Sequence, residues 1–375
     1  MWNHAVESNI HSGHHTGASW SPPRDICSSY YPAQGVYSSS DDNILEQHMK
    51  KLVNVGVNMI VVPFYLTQIE VEALHPHSAL FTNGERSVDR RIMKLLKYAL
   101  LFNIRVTFKL EDHRSRNMKH IIERTEHLLL KFGRHQSVYK DQNGNLVIFI
   151  EGSDRIPDWN KFREKRAGVK YIGKWTNDSD HASEQHMDGI FIDKIENWRD
   201  GVQWANEHRK YVILLLTPGF NDLRIRPWAA TDVIERDNGN TYRTSWLQAI
   251  ELKSLQLKAS VPMSVMVVSF NDWCRSTQIE EASSNADDQV ICKNGHCDKH
   301  GMCSQMMERL NIEPQYNTYH SSSSMYLDLT QKFSRLFSTD GKGMKVVEVD
   351  NDHDDSNSSN KSIIGRVEEM EVEAQ

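Results

Sequence analysis

Short runs of β-branched and aliphatic residues alternate along the chain with longer stretches in which apolar positions recur every three or four residues. The short runs are Asn58–Phe64, Arg105–Leu110, Leu146–Ile150, Val169–Ile172, Gly189–Ile192, Tyr211–Leu216 and Ser264–Ser269. Most are apolar throughout rather than alternating, the pattern of parallel strands covered on both faces. Between most of them the period is helical: Ile44–Val55, Ser87–Phe102, Lys119–Phe132, Trp198–His208 and Thr244–Leu257 each carry an apolar stripe. This order predicts a parallel sheet, and seven strands suit either a doubly wound sheet or an eight-stranded barrel lacking one strand. Helix Ile44–Val55 stands ahead of the first run, so an upstream strand is expected to be missing from the chain.

From Ser283 to Ser324 the rhythm breaks into a polar, Asn- and Ser-rich stretch that holds three of the five cysteines, and it reads as an irregular insertion. Met325–Phe337 is amphipathic again and is expected to close the fold. The resulting domain plan is a barrel over 1–338, with the insertion at 283–324, and a disordered acidic tail over 339–375.

Composition narrows the classes. With 39% hydrophobic and 25% charged residues in 375, the chain can bury a sizeable core. The net charge of −6 offers no basic stripe for a nucleic acid, and Gly341–Gln375 accounts for most of it, with nine acidic and four basic residues. No apolar run approaches the roughly 18–20 residues of a membrane span. Met1–Trp20, rich in His, Ser and Gly, lacks the basic-then-apolar order of a secretory signal.

In a barrel, polar residues just after the strands face the reaction site. Here they are Glu111, Asp112 and His113; Glu151 and Asp154; Asp193 and Glu196; Asn221 and Asp222; and Asn271, Asp272, Trp273 and Arg275. Carboxylates beside tryptophan suit glycoside hydrolysis, in which an acid and a base or nucleophile flank the bond. Taken singly, each carboxylate serves equally well as a helix cap. A separate cluster, Cys292, His296, Cys297, His300 and Cys303, offers five potential zinc ligands within twelve residues. Its spacing is not that of a standard finger, and a polar loop is the simpler reading, with zinc the weaker alternative. Asn177, Asn357 and Asn360 begin glycosylation sequons.

Ser269-Phe270-Asn271-Asp272-Trp273 followed by Thr277-Gln278-Ile279-Glu280 resembles the signature of the endo-α-1,2-mannosidase family, glycoside hydrolase family ninety-nine. Trp2-Asn3-His4, Pro22-Pro23-Arg24-Asp25-Ile26, Ser28-Ser29-Tyr30-Tyr31-Pro32, Tyr37-Ser38-Ser39, Val106-Thr107-Phe108 with Glu111, Lys131-Phe132-Gly133, Asp188-Gly189-Ile190 and Ile225-Arg226-Pro227-Trp228 are similar to family segments in the same order. The resemblance runs from Trp2 to about Phe337. It implies a (β/α)8 barrel, a Golgi-lumenal setting in animals, and cleavage within glucosylated high-mannose N-glycans without a cofactor. In the family the first strand precedes the block matched by Trp2-Asn3-His4, so the chain is expected to be an N-terminally truncated, divergent member. A family membrane anchor would be lost with that strand. Glu111, Glu151, Asn271, Trp273, Arg226 and Trp228 are the expected contacts to a mannose-containing glycan.

By the same resemblance, one family glutamate deprotonates the sugar 2-hydroxyl, which attacks its own anomeric carbon, while a second protonates the leaving oxygen. Asp272 stands at the base position and Arg275 at the acid/base position. The first change shortens the base by one methylene, a displacement of about 1 Å that costs on the order of a hundredfold. The second replaces a carboxyl group by a guanidinium that cannot cycle protons near neutrality. Glu151-Gly152-Ser153 also departs from a Tyr-Asp-Ser-type sugar contact, and Phe64-Tyr65-Leu66-Thr67 from a Trp-Tyr-Pro-Pro segment. Two readings follow: hydrolysis survives with Glu280 or Glu281 as substitute acid, or an impaired barrel still holds mannose-containing glycans. The second is expected.

Overall fold

In the computed structural model, the residues described are 26–64, 88–111, 118–156, 159, 168–176, 184–226, 230–256, 262–283, 316–319 and 321–338. All of them fall within one compact unit, Met1–Thr339. The acidic tail, the Cys292–Cys303 cluster, Trp228, Asp112, His113 and the three sequons lie outside the described residues.

Seven strands are present among them: β1 (Met59–Phe64), β2 (Arg105–Leu110), β3 (Leu146–Ile150), β4 (Val169–Lys174), β5 (Gly189–Ile192), β6 (Tyr211–Leu216) and β7 (Met263–Val267). They pair in chain order, every neighbouring pair parallel, from Met59 beside Arg105 at one end to Leu216 beside Val267 at the other. A doubly wound sheet reverses its strand order at a switch point. Strict sequential order instead is the winding of a β/α barrel, and it decides between the two readings of the apolar pattern.

The helices are α1 (Asp42–Asn54), α2 (Val88–Leu101), α3 (Met118–Lys131), α4 (Trp198–His208), α5 (Asn240–Gln256) and α6 (Met325–Ser338). Helix α1 starts where Asp41 accepts hydrogen bonds from the amides of Asn43 and Ile44, at 2.9 and 3.2 Å, satisfying two orphan donors. Asp42 opens the helix and Lys51 lies in its last turn, each placed favourably against the helix dipole. Leu45, His48, Met49 and Leu52 form its buried face, and Gly56, at φ +82°, turns the chain into β1.

The core has three parts. A small inner group, Phe149, Ile172, Phe191 and Ile213, fills the concave side of the sheet with Val61 and Met266 against it. Two larger belts lie between sheet and helices, one around β1–β4 with α1–α3, the other around β5–β7 with α4–α6. This is the layering of a barrel, in which bulky side chains pack the interior and the helices cover the outside. Tyr316 and Tyr319, from the stretch read as an irregular insertion, are irregular in backbone yet buried in the second belt.

No helix among the described residues is long and apolar enough to cross a membrane.

Candidate functional site

The carboxyl-terminal ends of the strands carry the polar side chains. The amide of Glu111, just after β2, donates to Phe64 O at 3.1 Å, and that of Glu151, just after β3, donates to Leu110 O at 3.0 Å. Both therefore extend the sheet ladder, which fixes where their side chains project. Lys109 on β2 and Lys174 at the end of β4 reach the same level. Lys109 Nζ lies 2.9 Å from Glu111 Oε1 and 3.2 Å from Glu151 Oε2. Lys174 Nζ lies 3.5 Å from Glu151 Oε1 and 2.7 Å from Asp193 Oδ2. The result is a ladder of alternating charge across β2–β5. Burial pushes the Glu151 carboxyl upward, but Lys109 and Lys174 outweigh it and hold the group below its ordinary range. Burial disfavours the Lys174 ammonium, yet Asp193 and Glu151 raise it above the usual lysine value.

After β7 the chain turns through Asn271 and Asp272 into a single 3₁₀ turn, Trp273–Arg275. The Asp272 amide donates to Ser269 Oγ at 2.8 Å, and Arg275 O accepts from the Asn221 amide at 2.9 Å, which ties the turn to the loop after β6. Arg275 Nε stands 3.8 Å from Asp272 Oδ2, with the Arg275 side chain half exposed and that of Asp272 28% exposed. At that distance and exposure the pair contributes little to stability.

A cavity of 1390 Å³ opens here, lined by Glu111, Glu151, Asp193, Asn271, Asp272 and Arg275 among others. Of the strand-end carboxylates named from the sequence, Glu111, Glu151, Asp193 and Asp272 thus meet in one place, whereas Glu196 and Asp222 are not among the lining residues. Two expected sugar contacts, Trp273 and Arg226, do not line the cavity. Trp273 is 1% exposed, and its indole N–H donates to Glu280 Oε2 at 3.1 Å. Its ring is core, with no face available to a sugar. Arg226 donates through Nε to buried Asp222 and is not among the lining residues. Asp154 sits on the 3₁₀ turn Ser153–Arg155, 3.6 Å from Arg155, also away from the lining.

Neither Glu280 nor Glu281 lines the cavity. Glu280 is 1% exposed and enclosed: Tyr37 Oη donates to Oε2, Gln34 Nε2 donates to Oε1 at 2.8 Å, and His48 Nε2 lies 2.9 Å from Oε1. Burial, then the Glu280 charge, pushes the Tyr37 hydroxyl far above its usual range, so it remains a donor. Asn271 Nδ2 in turn donates to Tyr37 Oη at 3.3 Å. Glu281 is paired with Lys51 at 2.5 Å. Glu280 therefore holds the base of the turn that carries Asp272, and proton exchange with a ligand in the cavity is closed to it.

Two further supports were not read from the sequence. Cys27 and Cys274 form a disulfide across 247 residues, which pins the middle of the Trp273–Arg275 turn to the segment before α1. Arg236 lies 4.4 to 5.3 Å from the ring centres of Tyr326, Tyr30 and Tyr319 and donates through Nη2 to Ser276 O and Gln278 O at 2.8 and 2.7 Å. Lys109 and Lys174 also escaped notice, although a lysine inside an otherwise apolar strand was a signal that could have found them. Among the described residues no group of three or more His, Cys, Asp or Glu side chains is placed to hold a metal ion.

A curled, all-parallel β/α sheet with carboxylates gathered at the carboxyl ends of its strands has the architecture of the barrel glycosidases. The comparisons agree. The model of glycosyl hydrolase family 99 matches residues 1–300, and the chain belongs to that family. It is 24% identical over 366 residues to the glycoprotein endo-alpha-1,2-mannosidase of Rattus norvegicus, covering 90% of this chain and 69% of that protein. A glycoprotein endo-alpha-1,2-mannosidase-like protein of Mus musculus is 24% identical over 308 residues, 75% of this chain and 63% of that protein. Among solved structures, the GH99 endo-alpha-mannosidase from Bacteroides thetaiotaomicron superposes with a TM-score of 0.63 at 25% identity, over 84% of each chain.

Proposed function

We propose that the chain is a glycan-binding barrel of the endo-α-mannosidase type, directed at mannose-containing N-glycans, in which hydrolysis is impaired. The observation that carries this reading is Arg275: it lines the cavity 3.8 Å from Asp272, at the position the family resemblance assigns to the acid/base carboxyl. A leaving sugar oxygen needs a titratable acid beside it, and a guanidinium is charged at any pH the protein meets. The substitutes considered in the sequence are withdrawn from the cavity, Glu280 by burial and Glu281 by its pairing with Lys51. Glu111, Glu151, Asn271 and Asp272 remain as polar contacts for sugar hydroxyls. No cofactor enters this chemistry, since acid/base glycoside hydrolysis runs on side chains alone.

We read the setting as lumenal and secretory, the Golgi by resemblance. The Cys27–Cys274 disulfide supports this, because such bonds persist in oxidising compartments. We read the fold as a (β/α)8-type barrel whose first strand is absent from the residues described.

The test is incubation of the purified protein, and of an Asp272→Glu, Arg275→Glu double variant, with a glucosylated high-mannose glycan, with released disaccharide followed by mass spectrometry. Silence from the wild type with turnover by the double variant is the expected result. Turnover by the wild type refutes impairment.

A further inference from the structure

Among the described residues nine large hydrophobic side chains are exposed, and six of them stand in the last turns of helices: Val53 on α1, Leu100 and Leu101 on α2, Leu130 on α3, Leu255 on α5 and Leu336 on α6. Leu130 is the barest at 84%, followed by Leu101 at 67% and Leu255 at 61%. A helix that joins two parallel strands runs back against them, so its carboxyl-terminal end lies at the pole where the strands begin. Backbone bonds at two of these ends show it. Val57 N donates to Leu52 O at 2.9 Å on the way into β1, and Ile104 N donates to Ala99 O at 2.8 Å on the way into β2. The apolar tips therefore gather at the pole opposite Glu111, Glu151 and Asp272.

Hydrogen bonds join these helix ends into one arc. Lys253 of α5 donates through Nζ to Phe337 O of α6. Gln331 Nε2 and Ser334 Oγ of α6 donate to Asn54 O and Val55 O at the end of α1, at 2.6 and 2.9 Å. Arg105, which opens β2, closes the rest: its amide donates to Asn58 O at 2.9 Å and its Nη1 to Gln136 O, beyond α3, at 2.5 Å. The same arc is basic. Over residues 51–58, 97–105, 128–141, 251–255 and 334–338, the exposed cations are Lys97, Arg105, Lys131, Arg134, Lys140 and Arg335, against one exposed carboxylate, Glu251. The chain as a whole carries −6. Cations at helix ends suit the helix dipole, and single exposed apolar side chains are ordinary. Neither accounts for the two kinds of residue interleaving at one pole.

We propose that this pole docks on a lipid surface bearing anionic headgroups. The leucine tips, carried on separate helix ends, would enter the boundary between headgroups and acyl chains, while the basic side chains between them meet the lipid phosphates and carboxylates. Charge selects this occupant over a second copy of the chain. A twofold contact sets a patch against itself, and here that would bring cations against cations. The barrel would lie on the bilayer rather than cross it, with the strand ends that carry the sugar site opening away from the membrane. The inference uses no residue of that site, so it can fail while the glycan assay succeeds, and the reverse.

The test mixes the full chain with vesicles of phosphatidylcholine, alone or with phosphatidylserine added, and reads the bound fraction by flotation. Affinity for the anionic vesicles should exceed that for the neutral ones by about tenfold or more and should fall as salt rises. Leu101→Ser with Leu130→Ser should weaken anionic-vesicle binding about tenfold, and Lys131→Glu with Arg134→Glu by at least as much. All four side chains are exposed, so the melting temperature should not move. Met93→Ser is the control, since Met93 is also exposed but stands in the middle of α2, away from the pole; it should bind as the wild type does. Equal binding to the two vesicle types, binding to neither, or binding indifferent to both double variants overturns the proposal. So does a dimer in sedimentation that the leucine variant abolishes, which would give the pole to a second copy.

Discussion

Replacing Glu280 with alanine tests whether the turn bearing Asp272 is held from behind. Glu280 accepts from Tyr37 Oη, Gln34 Nε2 and Trp273 Nε1 and lies 2.9 Å from His48 Nε2, with almost no exposure to water. Truncation removes acceptors from three donors and a partner from His48 in a place water does not reach. Each orphaned buried donor costs about 1–3 kcal/mol. These terms overlap, because Tyr37 and His48 can turn toward the new space, so the net loss should be about 4 kcal/mol. Glu280→Gln keeps one carbonyl acceptor but sets an amide NH2 against existing donors, and should lose about half as much. The neighbouring Glu281→Ala is the internal comparison, since its pair with Lys51 is 21–30% exposed and should be worth less than about 1 kcal/mol. Urea unfolding of the three variants measures the differences. If Glu280→Ala and Glu281→Ala lose similar amounts, the account of Glu280 as the buried anchor of the turn is wrong.

The disulfide and the charge ladder carry the remaining expectations. Cys27→Ser with Cys274→Ser opens a loop of 247 residues and should cost on the order of 4–5 kcal/mol, read as a lowered urea midpoint that dithiothreitol reproduces in the wild type and not in the variant. Glu151 titrates below its ordinary range in the folded chain. Its stabilising contribution is therefore complete above the unfolded carboxylate value and is lost as pH falls through the lower folded one. Glu151→Gln should flatten the acid limb of a stability–pH profile, and an unchanged limb would mean that Lys109 and Lys174 do not act on it.

Strands and helices were legible because each depends on its own neighbours. A parallel strand covered on both faces must be apolar throughout, and Tyr211–Leu216 shows this with no reference to its partners. The spacing of Asp272 and Arg275, three residues apart in one motif, was equally legible. Trp273 was misplaced: a tryptophan after a barrel strand reads as a sugar platform, but the 3₁₀ turn swings it inward onto Glu280. No local pattern records the direction of such a turn.

Local periodicity thus settled which segments form elements, because the burial of a side chain on one strand or helix follows from spacing alone. Contacts between distant segments were left to the tertiary structure. The sequential pairing that makes a barrel rather than a doubly wound sheet, the Lys109–Glu151–Lys174 ladder drawn from β2, β3 and β4, and the closure of Cys27 onto Cys274 all join segments far apart in the chain. Which carboxylate faces the cavity and which is sealed behind it is decided at that level too. Asp272 and Glu280 are the same kind of group eight residues apart, and only the packing of α1 and Tyr37 against one of them removes it from solvent.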